Sequence, residues 1–279
     1  MSNTAIVLAF DFGASSGRAI RAVYDGQNLN YEEIHRFENI PIEKDGHLCW
    51  DVETLLKEIH TAIQKAGTFD SLGFDTWGVD FGLLDADGHL LTNPVHYRDA
   101  RTNGKPEQAA ARMPAEELYA HTGNQIMAIN TLFQLLALQE QEPELLQKAA
   151  QILFMPDLFA ALLGAEPVCE RSIASTSQML DPRTGQWSRE VLAAYGLNAN
   201  RFAPLVASGT VTGTLANGAK IIAVAGHDTQ CASAAMPCAE EDAEHTAFLS
   251  CGTWSLLGTE LDAPILTADS CQSGLSNEL

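Results

Sequence analysis

Basic residues are scarce in this chain, which has 16 lysines and arginines against 36 aspartates and glutamates and a formal net charge of −20. Binding of nucleic acid requires a basic face that neutralises phosphates, so this composition argues against nucleic acid as a partner. An anionic ligand would have to be held by local hydrogen-bond donors, because the overall field of the protein repels it.

Cysteine motifs and long apolar runs are also absent. The six cysteines form no CxxC pair, and none has a histidine at metal-ligand spacing, which favours reduced thiols in a cytoplasmic protein. No segment approaches the roughly 20 apolar residues of a membrane-spanning helix. No N-terminal stretch joins a basic flank to an apolar run, so we expect neither a signal peptide nor a membrane partner.

The sequence contains neither of the glycine-rich nucleotide motifs GxGxxG and GxxxxGK[ST]. A dinucleotide-dependent dehydrogenase and a P-loop enzyme are therefore not expected. What the chain does have is length and apolar content. Its 279 residues, 46% of them hydrophobic, suffice for one large domain or two ordinary ones.

A strand, a turn and a second strand are predicted at the start of the chain. Apolar residues 6–10 lead into Asp11, small residues cover 13–17, and Arg18 precedes another apolar run. Such a turn exposes backbone N–H groups and hydroxyls where a phosphate can sit, and an aspartate at a strand end can hold a metal ion. The alternative is an ordinary hairpin in which Asp11 caps the turn.

Further strands are predicted over 18–24 and 29–37, and a helix begins after the N-cap Asp51 and ends at Gly67. A helical segment is predicted over 131–150. In the buried segment 72–85, two apolar runs flank a polar kink at 75–78. In one interpretation, Trp77 forms the wall of a sugar site. In the other, Trp77 is a core residue and Asp80 is a buried acid whose hydrogen bonds are satisfied within the protein.

A third segment has the same order of features as the first, an apolar strand that leads into an aspartate. The apolar strand 221–225 runs into Gly226, His227, Asp228 and Thr229, and a helix of small residues follows. At the start of a helix, the carboxyl of Asp228 is expected to keep a low pKa and to stay ionised. Residues 247–258 form another strand, small-residue turn and strand. Two turns with phosphate donors are thus expected to face one cleft.

Together these segments resemble the FGGY family of carbohydrate kinases. The similarity extends over essentially the whole chain, and it rests on the motifs DFGASSGR at 11–18, GFDTWGVDF at 73–81, YRDART at 97–102, NTLFQL at 130–135, MPDLF at 155–159, GHDT at 226–229 and FLSCGTWSLLG at 248–258. The resemblance implies an α/β, actin/hexokinase-like fold, in which a ribonuclease-H-like mixed β-sheet is flanked by helices. It also implies that a sugar and ATP meet in a cleft.

The resemblance also assigns roles to individual residues. Asp228 matches the general base that takes the proton from the attacking hydroxyl, and Asp11 matches the acid near Mg²⁺. The residues expected to bind the sugar are Trp77, Gly78, His227 and Thr229. The residues expected to bind the phosphates of ATP are Ala14, Ser15, Ser16, Gly17 and Arg18 in the first loop and Thr253 in the second.

The implied reaction is transfer of the γ-phosphate of ATP to the 1-hydroxyl of a ketose, with L-rhamnulose preferred. L-fuculose, L-ribulose and D-xylulose are alternative acceptors, because the choice of sugar depends on a few wall residues. A third hypothesis is a non-catalytic sugar- or phosphate-binding remnant of a kinase. Against it, a pure binder gains little from a general base next to His227.

Members of the family run to nearly twice the 279 residues of this chain. We expect residues 1–244 to form the N-terminal domain and 245–279 to begin a second, incomplete domain, with Asn277 and Glu278 matching the family's Asn-Glu pair. Without the adenosine-binding half, the chain is expected to be a poor kinase on its own. The hairpin at 247–258 would present unpaired strand edges that invite self-association, so a homo-oligomer is left open.

Overall fold

The computed structural model describes residues 4–239, 242, 245–251 and 255–279. Its strands are β1 (Ala5–Phe12), β2 (Ser16–Tyr24), β3 (Leu29–Glu38), β4 (Ile42–Lys44), β5 (His47–Cys49), β6 (Ser71–Thr76), β7 (Phe81–Leu84), β8 (Gln151–Phe154), β9 (Cys169–Glu170), β10 (Leu180–Asp181), β11 (Gln186–Trp187), β12 (Leu205–Val206), β13 (Thr210–Thr214), β14 (Lys220–Ala223), β15 (Ala247–Cys251) and β16 (Ser255–Thr259). Its α-helices are α1 (Val52–Ala66), α2 (Lys105–Ala109), α3 (Ala115–Thr122), α4 (Thr131–Gln141), α5 (Pro143–Lys148), α6 (Met155–Leu162), α7 (Arg171–Ser175), α8 (Arg189–Tyr195), α9 (Asp228–Ala234) and α10 (Ala268–Gln272).

Six strands form one mixed sheet in the order β13-β14-β6-β1-β2-β3. Strands β14, β6 and β1 are parallel, whereas β2, β3 and β13 run antiparallel to their neighbours. Asp11 pairs with Asp75 in the register of β1 and β6, and Thr76 bridges to His227 just beyond β14. Because parallel strands end at the same sheet edge, three segments that are distant in sequence meet there.

The predicted strands and the first helix are confirmed with small changes at their ends. Helix α1 begins where expected, because the Asp51 side chain accepts a hydrogen bond from Thr54 N at 3.2 Å. Its apolar face, which includes Leu55 and Ile59, is buried in the same core as the aromatic side chains of the sheet. Among the described residues, no helix combines the length and the apolar character needed to cross a membrane.

Stacked phenylalanines form the centre of the core between the sheet and α6. The ring centroids of Phe10 and Phe74 are 4.9 Å apart, and those of Phe12 and Phe159 are 4.7 Å apart. Phe10 and Phe12 point to the same side because side chains alternate along a strand. This packing fixes the carboxyl end of β1, and with it the position of Asp11.

The prediction of one helical segment over 131–150 requires correction. Helix α4 ends at Gln141 and α5 begins at Pro143, and between them Glu142 has the non-helical backbone angles φ −133° and ψ 54°. Proline lacks the N–H that would continue the helix, and it disfavours a helical conformation in the preceding residue. Pro143 therefore starts a new helix instead of lying within the old one.

Gly17→Ala is expected to destabilise the fold, because the side-chain position of Gly17 is already filled. A Cβ atom there would lie 2.3 Å from Cζ of Phe37. Overpacking of this kind typically costs about 1–3 kcal/mol. Urea unfolding of Gly17→Ala and wild type measures the difference.

The matched control is the same substitution in a Phe37→Ala background, where the ring is gone. Gly17→Ala is expected to cost little there, because the clash no longer exists. An equal cost in both backgrounds would contradict the packing described for Gly17 and Phe37.

Candidate active site

A cleft of about 520 Å³ lies where the β1–β2 turn, the kink after β6 and the start of α9 come together. Further lining comes from Asn124, Gln125, Met127, Ile129, Asn130, Ser276 and Glu278. The predicted site residues that line the cleft are Asp11, Ala14, Ser15, Ser16, Arg18, Trp77, Gly78, His227, Asp228 and Thr229. Segments more than two hundred residues apart in sequence, such as those of Asp11 and Asp228, thus form one site.

Two of the predicted site residues are not among the lining residues. Gly17 lies in β2, and its role in the structure is to leave room for the Phe37 ring. Thr253 lies outside the described residues. The strands on either side of it form the β15–β16 hairpin, which contributes Ser250 and Leu256 to the cleft.

The β1–β2 turn is held in place by Asn39, a residue that the sequence analysis did not identify. Asn39 Nδ2 donates to the carbonyl oxygen of Gly13 at 2.9 Å, and Asn39 N donates to that of Ser15 at 3.0 Å. A third bond closes the turn, from Gly13 N to Ser16 O at 2.9 Å. The side chain of Asn39 is buried, so these bonds are sheltered from water. The loop expected to bind phosphate is therefore fixed by the residue that directly follows β3.

Arg18 and Asp11 form an ion pair at the mouth of the cleft. Nε and Nη2 of Arg18 donate to the same oxygen, Oδ2 of Asp11, at 2.8 and 2.5 Å. Their side chains are 45% and 30% exposed. A pair this exposed contributes at most about 1 kcal/mol, so either partner can exchange it for a ligand.

Three carboxylates gather at the edge of the sheet: Asp11, Asp75 and Asp228. Burial, followed by the negative charges of Asp11 and Asp228, raises the pKa of Asp75 well above its usual range. A bound cation would relieve this repulsion, and carboxylate oxygens are the donors that Mg²⁺ prefers. The donor chemistry suits a divalent cation, which Asp11 would hold, but the three carboxylates are not among the described groups whose ligand atoms already lie within reach of one ion.

Asp228 lies at the start of α9, next to His227. Thr229 N and Oγ1 donate to its Oδ1 at 2.6 and 3.2 Å. The expectation of a low pKa is wrong, because burial raises the pKa of Asp228 despite the opposing effect of His227 and of these hydrogen bonds. α9 has only seven residues, and its dipole does not offset the loss of solvation.

His227 is buried between two acids. Its Nδ1 lies 2.7 Å from Oε2 of Glu278, and its Nε2 lies 3.4 Å from Oδ1 of Asp228. Burial opposes the charged form, but the carboxylates of Glu278 and Asp228 raise the pKa of His227 above its usual value. The two acidic neighbours thus orient the ring and favour its protonated form.

Trp77 proves to be both a cleft residue and an anchored one. It is 6% exposed, and its indole N–H donates to Oδ2 of Asp80 at 3.0 Å. The same oxygen accepts from Trp50 Nε1 at 2.7 Å and from Tyr97 N at 3.1 Å, while Oδ1 accepts from Gln134 Nε2 at 2.8 Å. Both oxygens of the buried acid are satisfied, and the tryptophan is held in one orientation.

The backbone beside Gly78 is strained and tightly held. Val79 has a φ of 67°, which is unusual for a β-branched residue. Its N–H donates to Thr176 Oγ1 at 3.0 Å, and its carbonyl accepts from Thr131 Oγ1 at 2.6 Å. A Cβ on Gly78 would lie 3.1 Å from Cγ2 of Thr176. The kink thus follows one defined path along the wall of the cleft.

Glu170 is a second residue that the sequence analysis missed. Its fully buried carboxylate accepts from Gly226 N at 3.0 Å and from Ser172 N at 2.9 Å through Oε2. Its other oxygen accepts from Ser208 Oγ at 2.7 Å. Glu170 therefore ties the backbone just before His227 to the start of α7. A glutamate with this role has no local pattern that distinguishes it from an exposed one.

Residues 6–234 match the N-terminal domain model of the FGGY family of carbohydrate kinases, and the chain belongs to this family. A rhamnulokinase from Bacteroides thetaiotaomicron is 41% identical over 283 residues, an alignment that covers 97% of this chain and 58% of the relative. The chain thus spans a little over half the length of the curated relative.

Solved structures confirm the fold class. A ligand-bound xylulose kinase from Lactobacillus acidophilus aligns with a TM-score of 0.78 at 18% identity, covering 95% of this chain and 56% of that one. A carbohydrate kinase from Novosphingobium aromaticivorans aligns with a TM-score of 0.77 at 23% identity, covering 96% and 58% of the two chains. The α/β, actin/hexokinase-like fold is therefore established.

Asp80→Asn is expected to remove a pH dependence of stability. Burial, which outweighs the hydrogen bonds from Trp50, Gln134 and Trp77, raises the pKa of Asp80 from 3.8 to about 6. Between these values the folded protein binds more protons at this group than the unfolded chain does. The contribution of Asp80 to stability therefore falls as the pH rises from about 4 to about 6, by about 3 kcal/mol.

Urea unfolding at intervals between pH 4 and pH 8 measures this effect as the difference between Asp80→Asn and wild type. As the pH rises to about 6, wild type is expected to lose stability relative to Asp80→Asn. Above about pH 6, the difference in unfolding free energy between the two proteins is expected to stay constant. Parallel pH profiles for the two proteins would contradict the pKa shift of Asp80.

Proposed function

We propose that this chain forms the sugar-binding part of an ATP-dependent ketose kinase whose preferred acceptor is L-rhamnulose. The observation that carries the proposal is the position of Asp228, which lines one cleft together with the donor-rich turn 13–16 and the wall residue Trp77. Membership of the FGGY family supports the reaction class. The 41% identity to a rhamnulokinase supports the choice of sugar.

Asp228 would act as the general base. In this proposal its carboxylate accepts the proton of the 1-hydroxyl as the oxygen of that hydroxyl attacks the γ-phosphorus of ATP, and ADP leaves with the electron pair of the broken P–O bond. Burial raises the pKa of Asp228, which makes it a stronger base than an exposed aspartate. ATP would supply the phosphoryl group, and a Mg²⁺ ion held near Asp11 would supply positive charge that offsets the charge of the phosphates. The remaining task of the protein is positioning, which dominates catalysis of phosphoryl transfer.

The cleft offers both kinds of contact that a sugar requires. Trp77 presents an aromatic surface on which C–H groups can pack, and Gly78 lines the cleft with its backbone beside Thr176. His227 and Thr229 present polar atoms beside Asp228. We assign these residues to the sugar subsite.

Local donors for phosphate are concentrated at the other loop. Ala14, Ser15 and Ser16 form the turn that Asn39 holds, and they line the cleft with Arg18. Arg36 also lines it, although it was not identified from the sequence, and it forms an ion pair with Glu33. In a chain of net charge −20, these two arginines are local cationic donors for a nucleoside triphosphate, and each would exchange its carboxylate partner, Asp11 or Glu33, for phosphate.

Asp228→Asn is expected to lower kcat by about 10²- to 10⁴-fold, because asparagine cannot accept the proton. Sugar affinity is expected to change little, since asparagine has the same size. The test is a coupled ADP-release assay with Mg²⁺-ATP and L-rhamnulose, L-fuculose, L-ribulose or D-xylulose, on the protein that carries this chain. Calorimetric titration with the same sugars measures binding.

Asp87→Asn is the matched control, because Asp87 is exposed and does not line the cleft. It is expected to keep wild-type turnover. An Asp228→Asn variant with wild-type turnover would contradict the role of general base. Sugar binding without turnover in wild type would instead indicate a non-catalytic binder, and preference for another ketose would correct the acceptor.

A further inference from the structure

Glu278 lies well beyond the segment 6–234 that matches the family's N-terminal domain, yet it lines the cleft. Its side chain is 19% exposed. Oε2 lies 2.7 Å from Nδ1 of His227 and accepts a hydrogen bond from Gln230 Nε2 at 3.0 Å. The carboxylate thus contacts two residues of the segment that carries Asp228, the proposed general base.

The backbone on both sides of Glu278 is fastened to the rest of the fold. Asn277 N and Nδ2 donate to the carbonyl oxygen of Gly123 at 2.8 and 2.9 Å. On the other side, Leu279 N donates to Ser175 Oγ at 3.2 Å. These anchors do not involve His227. The position of Glu278 is therefore set independently of the ring that it contacts.

The chemistry of the two partners determines which nitrogen of His227 carries a proton. An ionised carboxylate only accepts hydrogen bonds, so the 2.7 Å contact requires a proton on Nδ1. Burial opposes ionisation of Glu278, but His227 keeps the pKa of Glu278 below its usual value. With Nδ1 engaged, Nε2 is directed toward Asp228 Oδ1, 3.4 Å away.

We propose that Glu278 is a positioning residue of this site, which holds the His227 imidazole through Nδ1 so that Nε2 faces Asp228 and the sugar subsite. The catalytic consequence rests on the proposed function, whereas the orientation of the ring does not. A ring fixed in this way holds Nε2 in one direction toward a bound sugar. Loss of Glu278 would allow the imidazole to rotate and to exchange tautomers.

The orientation is tested by NMR of protein labelled with ¹⁵N in histidine, recorded without sugar or nucleotide, with His227→Gln used to assign the signals. Wild type is expected to show a slowly exchanging proton on Nδ1 of His227. Glu278→Ala is expected to lose this signal. Glu278→Gln is expected to keep it with faster exchange, because a neutral amide oxygen is a weaker acceptor than a carboxylate. This variant has nearly the same size and decides the question if the alanine variant does not fold.

The catalytic consequence is tested by kinetics on the same variants. Glu278→Ala is expected to lower kcat/KM for the ketose by about 10- to 100-fold, because a misplaced contact near the reacting atoms costs this much. Glu278→Gln is expected to restore most of the loss. Asp262→Ala is the matched control: it removes an exposed carboxylate from the same C-terminal segment and is expected to leave both readouts unchanged.

Two results would overturn the inference. One is a slowly exchanging Nδ1 proton that persists in Glu278→Ala. The other is a Glu278→Gln variant that keeps this proton but has a kcat/KM as low as that of Glu278→Ala. If wild type phosphorylates none of the ketoses, the proposed function fails. The NMR result, which involves no substrate, still decides the role of Glu278.

Discussion

Hydrogen bonding between the parallel strands β1, β6 and β14 is the constraint on which the site depends. The register pairs Asp11 with Asp75, and the bond from Thr76 N to the carbonyl oxygen of Gly226, 2.9 Å long, continues this pairing beyond β14. His227 and Asp228 follow immediately. A shift of one residue in either pairing would turn these side chains to the other face of the sheet.

The same convergence concentrates negative charge at one edge of an already acidic chain. Positively charged side chains and hydrogen-bond donors stabilise these acidic groups in different ways. Arg18 neutralises Asp11 at the surface, and His227 lies between two acids in the interior. Asp80 is satisfied by N–H donors to both of its oxygens. Asp75 has its pKa raised well above its usual range by burial and by its neighbours.

The sequence predicted the elements and residues that depend on local patterns. The strand, turn and strand of 6–20, the capped helix after Asp51 and the strand before His227 all have such patterns, and each lies where expected. The prediction of one helix over 131–150 was wrong, because it did not take into account that Pro143 interrupts a helix.

The contacts that sequence reasoning missed act over long distances in the chain. Asn39 fixes a turn 26 residues away, and Glu170 bonds to Gly226, 56 residues away. Glu278 was noted only as part of a family motif, and its contact with His227, 51 residues away, was not foreseen. Such partners become visible only when the register of the sheet is known. The pKa of Asp228 was mispredicted for a related reason: its burial comes from packing that local sequence does not record.

The central claim is that a ketose binds at the edge of the sheet, against Trp77 and His227. The most direct test is an NMR titration of the indole N–H and histidine ring signals with L-rhamnulose. The signals of Trp77 and His227 are expected to shift, while that of Trp187, which packs 4.6 Å from Phe202 outside the cleft, stays unchanged. Saturable binding that leaves Trp77 and His227 unchanged would place the sugar elsewhere and contradict the account.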